Sequence, residues 1–297
     1  MKNFLNNFTH KFLFLCYLLV MVILVSLYKF LPVSPILLIP NTQISDWPYE
    51  PVSCYGSFQD SGRDKNYCNF NENKQNIILI GDSHAQQLFF GFNEIQQQNN
   101  EELNIVLLMS ELMRGNWNSQ NADIKNKILF ISEELKKANS KDVIIFSITS
   151  GHLEDSVYGS FIDSGRLINS LVEVLRDIFM SNEINSNIIL MLDTPHLKTD
   201  VARICSKTKT AVNKLCNISF IDFTLQNKSL FKAYQLLIED TPQIKDFIVF
   251  DPTYLFCNLD NVCSMYDKDK FILIDGNHIN IETSNKLVKS LYENAIN

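Results

Sequence analysis

The chain has 297 residues, of which 46% are hydrophobic and 20% are charged, and its formal net charge at pH 7 is −7. This length allows one sizeable domain or two small ones. The acidic balance excludes a generally basic surface of the kind that binds nucleic acid, so no nucleic-acid partner is expected.

The first element along the chain is an apolar run, Phe12–Tyr28, that contains no charged residue. Lys2 and Lys11 precede it, and Lys29 and a second apolar stretch, Phe30–Ile39, follow it. A membrane-spanning helix needs about 20 mostly apolar residues, so the run predicts one N-terminal transmembrane helix. A cleaved signal peptide is the alternative, but the segment has no convincing small-x-small cleavage site. The positive charges before the run favour a cytoplasmic N-terminus, which would put the rest of the chain outside the cytoplasm.

Six of the seven cysteines lie after this run, and they fall into three pairs that are local in sequence. Paired cysteines in an exported domain indicate disulfides, and local pairing is the simplest choice because short loops close at a low entropic cost. A zinc site is the competing interpretation, but it needs ligands spaced as C-x-x-C with a second pair, and the sequence has none. No metal or other cofactor is expected. The predicted disulfides are Cys54–Cys68, Cys205–Cys216 and Cys257–Cys263.

Residues 40–73 are rich in Pro, Ser, Gly, Asp and Asn, which indicates a linker or irregular cap between an anchor of residues 1–39 and a domain of residues 74–297. In that domain apolar runs alternate with helical patterns. The alternation predicts an α/β three-layer sandwich with a mostly parallel five-stranded sheet. The candidate strands are Ile77–Ile80, Asn104–Met109, Val143–Ile148, Asn187–Leu192 and Phe247–Phe250. The candidate helices are Gln86–Gln97, Ala122–Ala138, Gly165–Met180, Leu225–Ile238 and Ile281–Ala295.

The turn "GDSHA" at 81–85 follows the first of these strands directly. Ser83 is therefore expected at the carboxyl end of a strand and beside a helix N-terminus. Open α/β sheets bind ligands at such a position, and the free N–H groups of the helix favour negative charge there. The alternative is that Asp82 and Ser83 only cap the helix.

A second polar turn, "DGNH" at 275–278, follows an apolar run near the end of the chain. A serine nucleophile needs a base, usually histidine, and a group that orients the base. The spacing lets Asp275 accept a hydrogen bond from Nδ1–H of His278, so that Nε2 faces the cleft. Ser83, His278 and Asp275 would form a catalytic triad if the two turns meet at one sheet edge, which the sequence alone does not establish.

These two motifs, "GDSHA" and "DGNH", resemble those of the SGNH (GDSL-like) hydrolase superfamily. They resemble more closely the SGNH domain of bacterial acyltransferase-3 proteins, which O-acetylate their substrates. Two further segments agree, "LDTPHL" at 192–197 ahead of Cys205 and "DPTYLFC" at 251–257 ahead of Cys263. The resemblance covers about residues 52–297. It implies a flavodoxin-like fold, with Ser83 as nucleophile, His278 as base and Asp275 as the orienting acid.

The resemblance also implies an oxyanion hole, in which the superfamily uses a Gly after the second strand and an Asn after the third. Gly115 in "MRGN" matches the Gly, but "TSGHLED" at 149–155 contains no Asn. The oxyanion hole is therefore expected to use the backbone N–H groups of Ser83 and Gly115, with Ser150 or His152 nearby. The missing Asn matters because the loss of one oxyanion-hole donor typically lowers the rate about 10²–10³-fold.

Four other residues have interpretations that stay open. Asp82 is expected to hydrogen-bond the backbone around its turn, and His84 to be structural or to lie at the cleft mouth. His196 would line the pocket or lie in a surface loop. Trp117 would stack on a sugar or pack as a core ring.

The sequence thus predicts an extracytoplasmic serine acyl-ester hydrolase or O-acyltransferase. The resemblance implies that it acts on acetyl groups of cell-envelope polysaccharide. It would be a single-pass protein of the bacterial inner membrane, with its domain facing the periplasm or exterior. Fused relatives carry a multi-helix membrane module, so acyl transfer by this chain would need a separate membrane acyltransferase as partner. The alternative is a catalytically degenerate domain that binds glycan or a membrane partner. The missing Asn favours that alternative, and the intact Ser-His-Asp set opposes it.

Overall fold

The computed structural model describes residues 69–98, 102–109, 122–153, 164–180, 184–206, 216–244, 247–267 and 270–296. The predicted anchor, almost all of the linker, the pair Cys54–Cys68, Gly115 and Trp117 lie outside the described residues, and the predicted domain boundaries stay predictions. Within the described ranges, none of the helices is long and apolar enough to cross a membrane.

The described residues form strands and helices that largely follow the predicted order. The strands are β1 (Gln75–Gly81), β2 (Leu103–Met109), β3 (Val143–Ser147), β4 (Asn187–Met191), β5 (Asn217–Ser219), β6 (Phe247–Phe250), β7 (Val262–Ser264), β8 (Tyr266–Asp267) and β9 (Lys270–Phe271). The helices are α1 (Ser83–Gln98), α2 (Ala122–Leu135), α3 (Ser164–Met180), α4 (Thr199–Cys205), α5 (Phe220–Asp240), α6 (Thr253–Phe256) and α7 (Ile281–Leu291).

Five strands form a parallel central sheet in the order β2-β1-β3-β4-β6, which confirms the predicted sheet. The chain leaves β1 toward one edge to build β2 and later returns to the other side of β1 to build β3. This reversal makes the carboxyl ends of β1 and β3 the topological switch point, where open α/β sheets bind ligands. Ser83 lies two residues after the end of β1, at this position.

Both faces of the sheet are buried, which explains why its strands read as continuous apolar runs. Ile78 and Ile80 of β1 point to one face, where they pack in a core with α2, α3 and α5. Ile77 and Leu79 point to the other face, where they pack with α1 and α7. The result is the predicted three-layer sandwich.

Two glycines allow the close approaches that shape the site edge. A Cβ at Gly81 would lie 1.7 Å from the carbonyl oxygen of Ser147, so only glycine lets the end of β1 lie this close to β3. A Cβ at Gly91 would lie 2.6 Å from the carbonyl oxygen of Ser284 and from Cβ of Val288. Gly91 therefore lets α1 and α7 pack backbone to backbone, and α7 directly follows the second polar turn.

Short elements that the sequence did not predict surround the sheet. β5 pairs with β7 and β8 pairs with β9, both in antiparallel fashion. Disulfides join Cys205 to Cys216 and Cys257 to Cys263, as predicted. The first ties the end of α4 to the residue before β5, and the second closes the loop between α6 and β7.

Candidate active site

Asp82 organises the turn that carries Ser83. Its backbone carbonyl accepts hydrogen bonds from the N–H groups of Ala85 (3.0 Å) and Gln86 (3.2 Å), and its Oδ1 accepts from the N–H of His84 (2.7 Å). These bonds occupy the amides that follow Ser83 in the first turn of α1. The Ser83 amide is the candidate donor that remains in this turn for a developing oxyanion.

The same side chain ties this turn to the end of β3. Oδ2 of Asp82 accepts from the N–H of Thr149 (2.9 Å) and lies 3.1 Å from Nε2 of His152. Burial raises the pKa of Asp82, but the hydrogen bond and charge of His152, the charge of His84 and the Thr149 amide together bring the pKa below its ordinary value. The bonds that the Asp82 carboxylate accepts from the amides of His84 and Thr149 are the backbone hydrogen bonds that were expected of this residue.

Ser83, His278 and Asp275 meet at this edge of the sheet. Nε2 of His278 lies 2.7 Å from Oγ of Ser83, and Nδ1 lies 2.6 Å from Oδ2 of Asp275. Oδ1 of Asp275 accepts from the backbone N–H groups of Asn277 and His278, both at 2.8 Å. Burial raises the pKa of Asp275, but the hydrogen bond and charge of His278 and these two amides bring it below its ordinary value. An ionised Asp275 holds the proton of the imidazole on Nδ1 and leaves Nε2 to accept from the serine hydroxyl.

Two hydrogen bonds from neighbouring elements fix the second turn and the residue that follows it. Gln87 of α1 accepts from the N–H of Ile279 through Oε1 (3.1 Å), and the N–H of Leu197 donates to the carbonyl of Gly276 (2.7 Å). The hydroxyl of Ser284 donates to the carbonyl of Gln87 (2.6 Å), which joins α7 to α1. The turn that carries the histidine is thus held against the helix that begins with the serine.

A buried carboxylate, Asp193, lies behind these two turns. It follows β4 and is 1% exposed. Its Oδ2 accepts from the N–H (2.7 Å) and hydroxyl (2.9 Å) of Ser150 and from the hydroxyl of Thr149 (3.1 Å). Its Oδ1 lies 2.7 Å from Nδ1 of His84, which is fully buried. Asp193 therefore connects the ends of β1, β3 and β4.

His84 and Asp193 form a charged pair. Burial lowers the pKa of His84, but the charge and hydrogen bond of Asp193, with the charges of Asp82 and Asp275, raise it to about 9. Burial raises the pKa of Asp193, but His84, His196 and the Ser150 amide hold it far below its ordinary value. The surrounding charges therefore favour the ionised form of each group over the neutral one.

The other expected site residues fall in different places. Ser150 is buried, and its N–H and hydroxyl both donate to Asp193, so both of its donor groups are engaged in this structure. His152 is linked to the turn that carries Ser83 by the contact between its Nε2 and Oδ2 of Asp82. His196 borders the buried network, with Nδ1 3.8 Å from Oδ2 of Asp193 and a side chain that is 21% exposed.

Asp193 is not among the site residues predicted from the sequence, although the segment that contains it, "LDTPHL" at 192–197, supports the family resemblance. The signal was present, because an acidic residue that directly follows an apolar strand run lies at the same carboxyl edge as Ser83. Its pairing with His84 could not be read from the sequence, since 108 intervening positions separate them and either residue has many other possible partners.

The family model of the SGNH domain (fused to AT3 domains) matches residues 53–293. Among solved structures, the periplasmic domain of a lipopolysaccharide acetyltransferase from Salmonella ser. Paratyphi A is similar, with a TM-score of 0.51 and 15% identity over 76% of this chain and 85% of that chain. Est24, a carbohydrate acetylesterase from Sinorhizobium meliloti, has a TM-score of 0.43 and 12% identity over 74% of this chain and 97% of that chain. The first likeness establishes the fold. A search of curated proteins found no significant match.

Proposed function

Because the chain belongs to the family of SGNH domains that occur fused to AT3 domains, we propose that it is an extracytoplasmic serine acyl-ester hydrolase or O-acyltransferase. One fold hosts many functions, so the proposal rests on the site. The observation that carries it is the pair of short contacts from Ser83 Oγ to His278 Nε2 (2.7 Å) and from His278 Nδ1 to Asp275 Oδ2 (2.6 Å). This is the arrangement in which a histidine activates a serine nucleophile.

In the proposed reaction, Oγ of Ser83 attacks the acyl carbonyl while its proton passes to Nε2 of His278. The tetrahedral intermediate collapses, and the departing alcohol takes that proton, which leaves an acyl-enzyme on Ser83. Water or a sugar hydroxyl then attacks the acyl-enzyme and gives its proton to His278. The bond from the acyl carbon to Oγ of Ser83 breaks, Oγ takes that proton back from His278, and the carboxylic acid or the new sugar ester is released. Asp275 stays ionised and stabilises the imidazolium that forms in each half-reaction.

The oxyanion of each intermediate needs donors that are in place before the reaction. The Ser83 amide is the first candidate, since it lies at the N-terminus of α1, where the helix dipole favours negative charge. Gly115 is proposed as the second donor from the resemblance. Ser150 is not proposed, because Asp193 takes both of its donor groups.

The substrate that fits best is an acetyl ester on a cell-envelope polysaccharide. The family occurs fused to AT3 domains, and the similar Salmonella domain belongs to a lipopolysaccharide acetyltransferase. The same relationships support a domain that lies outside the cytoplasm of a membrane protein. We further propose that a separate membrane acyltransferase supplies the acetyl group if the reaction is transfer.

Turnover of an aryl acetate by the full chain in detergent tests the proposal. Ser83→Ala should abolish turnover, and Ser290→Ala, which removes a hydroxyl on α7 that contacts Tyr254, should retain it. An oligosaccharide acceptor should become acetylated if the chain is a transferase, whereas only acetate should form if it is an esterase. A folded wild-type chain that binds glycan without turnover would instead identify a degenerate binding domain.

A further inference from the structure

Ser83 and Gln87 are four residues apart on α1, so they lie one turn apart on the same face of the helix. Oγ of Ser83 lies 2.7 Å from Nε2 of His278. Oε1 of Gln87 accepts from the backbone N–H of the next residue, Ile279 (3.1 Å). Two consecutive residues near the end of the chain therefore contact two consecutive turns of one helix face.

Backbone hydrogen bonds close residues 272–280 into one loop, called the base loop below. Within it the N–H of Ile274 donates to the carbonyl of His278 (2.8 Å), and Asp275 accepts from both the ring and the amide of His278. These bonds fix His278 relative to Asp275. They do not fix it relative to Ser83, which belongs to α1, so the base and the nucleophile are aligned only if the base loop is also bonded to α1.

The side chain of Gln87 provides such a bond, and its orientation follows from its partner. A backbone N–H only donates, so the atom that faces Ile279 is the amide oxygen. Nε2 then points to the other side, where it lies 3.5 Å from Oγ1 of Thr194 and 3.5 Å from Nδ1 of His84. These two contacts are at the long limit of a hydrogen bond, so the bond to Ile279 is the stronger constraint. Gln87 is fully buried, so water does not compete for its oxygen.

Two further contacts hold the base loop at Gly276 and Asn277, which both precede His278. The carbonyl of Gly276 accepts from the segment after β4 (2.7 Å), and Nδ2 of Asn277 lies 3.3 Å from a ring nitrogen of the histidine that follows Ser83. The bond from Gln87 is made directly after His278. Loss of that bond would let the loop turn about its two remaining contacts and carry the ring of His278 away from Ser83.

We propose that Gln87 is a positioning residue that docks the base loop on α1 and so sets the distance between His278 and Ser83. The inference rests on the proposed function for its effect on rate. Gln87 acts through the backbone of Ile279 and does not touch the reacting atoms. In the sequence "GDSHAQQ" at 81–87, the role belongs to the glutamine four residues after the serine.

The first test compares rates of fluorophosphonate labelling in the folded full chain in detergent, with Ser83→Ala as the blank. Gln87→Met keeps the length of the side chain but has no oxygen that accepts from Ile279, so it should label about 10- to 100-fold more slowly. Gln96→Met is the matched control, because Gln96 of α1 also bonds the backbone of another element, the carbonyl of Leu103 at the start of β2 (2.9 Å). It should label at the wild-type rate, and equal rates in the two variants would overturn the proposal.

The second test distinguishes positioning from a general structural role. Both half-reactions use His278, so Gln87→Met should lower kcat for an aryl acetate and leave KM unchanged. In a chain labelled with ¹⁵N histidine, neutral His278 should keep its proton on Nδ1 in this variant, because Asp275 and the bonds within the base loop remain. His278→Ala identifies the signal. Loss of this tautomer would show that the loop itself has collapsed, which would overturn the positioning role.

The third test examines the hydrogen bond itself and needs no activity. The full chain is labelled with ¹⁵N isoleucine, and Ile279→Val identifies the amide signal of Ile279. Exchange of this amide with deuterium should accelerate by about 10-fold or more in Gln87→Met and keep its wild-type rate in Gln96→Met. Unchanged exchange in Gln87→Met would contradict the inference.

The outcomes separate the inference from the proposed function. A folded wild-type chain that is never labelled contradicts the function, and the exchange measurement still decides whether Gln87 holds the base loop. If Gln87→Met does not fold, Gln87→Asn replaces it with the same expectations, because its amide is one methylene too short to reach Ile279. Labelling that depends on Ser83 but is as fast without the Gln87 bond as with it supports the function and overturns the inference.

Discussion

Ser83 Oγ lies 2.7 Å from Nε2 of His278, although 195 positions separate the two residues along the chain. The contact depends on α1 and α7, which lie side by side on one face of the sheet. Gly91 permits their close approach, and Gln87 bonds the backbone just after His278. The packing of two helices therefore sets the distance between the proposed nucleophile and its base.

Gly91→Ala should weaken both the fold and the activity. The added Cβ would lie 2.6 Å from a backbone carbonyl oxygen of α7, so the two helices must separate. Overpacking of this kind typically costs about 1–3 kcal/mol of the free energy of unfolding. Gly151→Ala is the matched control, since its Cβ would meet nothing closer than 3.5 Å. Denaturant unfolding and aryl acetate turnover measure both effects, and equal behaviour of the two variants would contradict the role of Gly91.

The three residues of the proposed triad should act as one unit. Ser83→Ala and His278→Ala should each lower the rate by on the order of 10⁶-fold, and combining them should add little. Asp275→Asn should cost less, on the order of 10⁴-fold, because it disturbs the orientation and charge of the base without removing it. Turnover numbers, with circular dichroism as the control for folding, check this. Additive losses would show that the residues act independently.

The stability of the fold should depend on the charge of His84. Its pKa is raised to about 9 in the folded chain from an ordinary value of 6.5. Its stabilising contribution is therefore complete below about pH 6.5 and is lost as the pH rises to about 9. A difference of this size corresponds to about 3 kcal/mol. Urea unfolding between pH 6 and 10 should show this fall in the wild-type chain and not in His84→Gln; a flat wild-type curve would contradict it.

The Cys257–Cys263 disulfide should matter more for activity than its loop length suggests. It joins the residue after α6 to Cys263 within β7, and β7 is followed by Met265, whose carbonyl accepts from the N–H of Ile272 in the segment that leads to Asp275. Cys257→Ser with Cys263→Ser should lower turnover more than it lowers the unfolding midpoint. Non-reducing peptide mapping should also find this bond, and a cysteine linked outside its local pair would refute the predicted connectivity.

The central fold could be predicted because its signals are local. Strands buried on both faces read as apolar runs, and the observed β3, β4 and β6 lie within one residue of the predicted ranges. The start of α5 was predicted five residues late, because Ser219 caps the helix by accepting from the N–H of Asp222. The short strands β5 and β7–β9 carry too few residues for a periodic pattern.

The motifs of the candidate site could be predicted from the sequence, but the way they come together could not. Ser83 and the Asp275–His278 turn carry recognisable motifs, but their meeting depends on helix packing that no motif encodes. The hydrogen bonds of Ser150, which was expected near the oxyanion hole, could not be predicted for a related reason. Its donors are taken by Asp193, and a contact between the ends of two strands depends on the order of strands in the sheet.

The most direct test of the central claim is to locate the residue that a fluorophosphonate modifies. The folded full chain is treated with the probe, digested, and analysed by mass spectrometry, with Ser290→Ala as a control that keeps the proposed site. We expect one adduct, on Ser83, that is absent from Ser83→Ala and from His278→Ala. An adduct on a different residue, or no adduct on a folded wild-type chain, would contradict it.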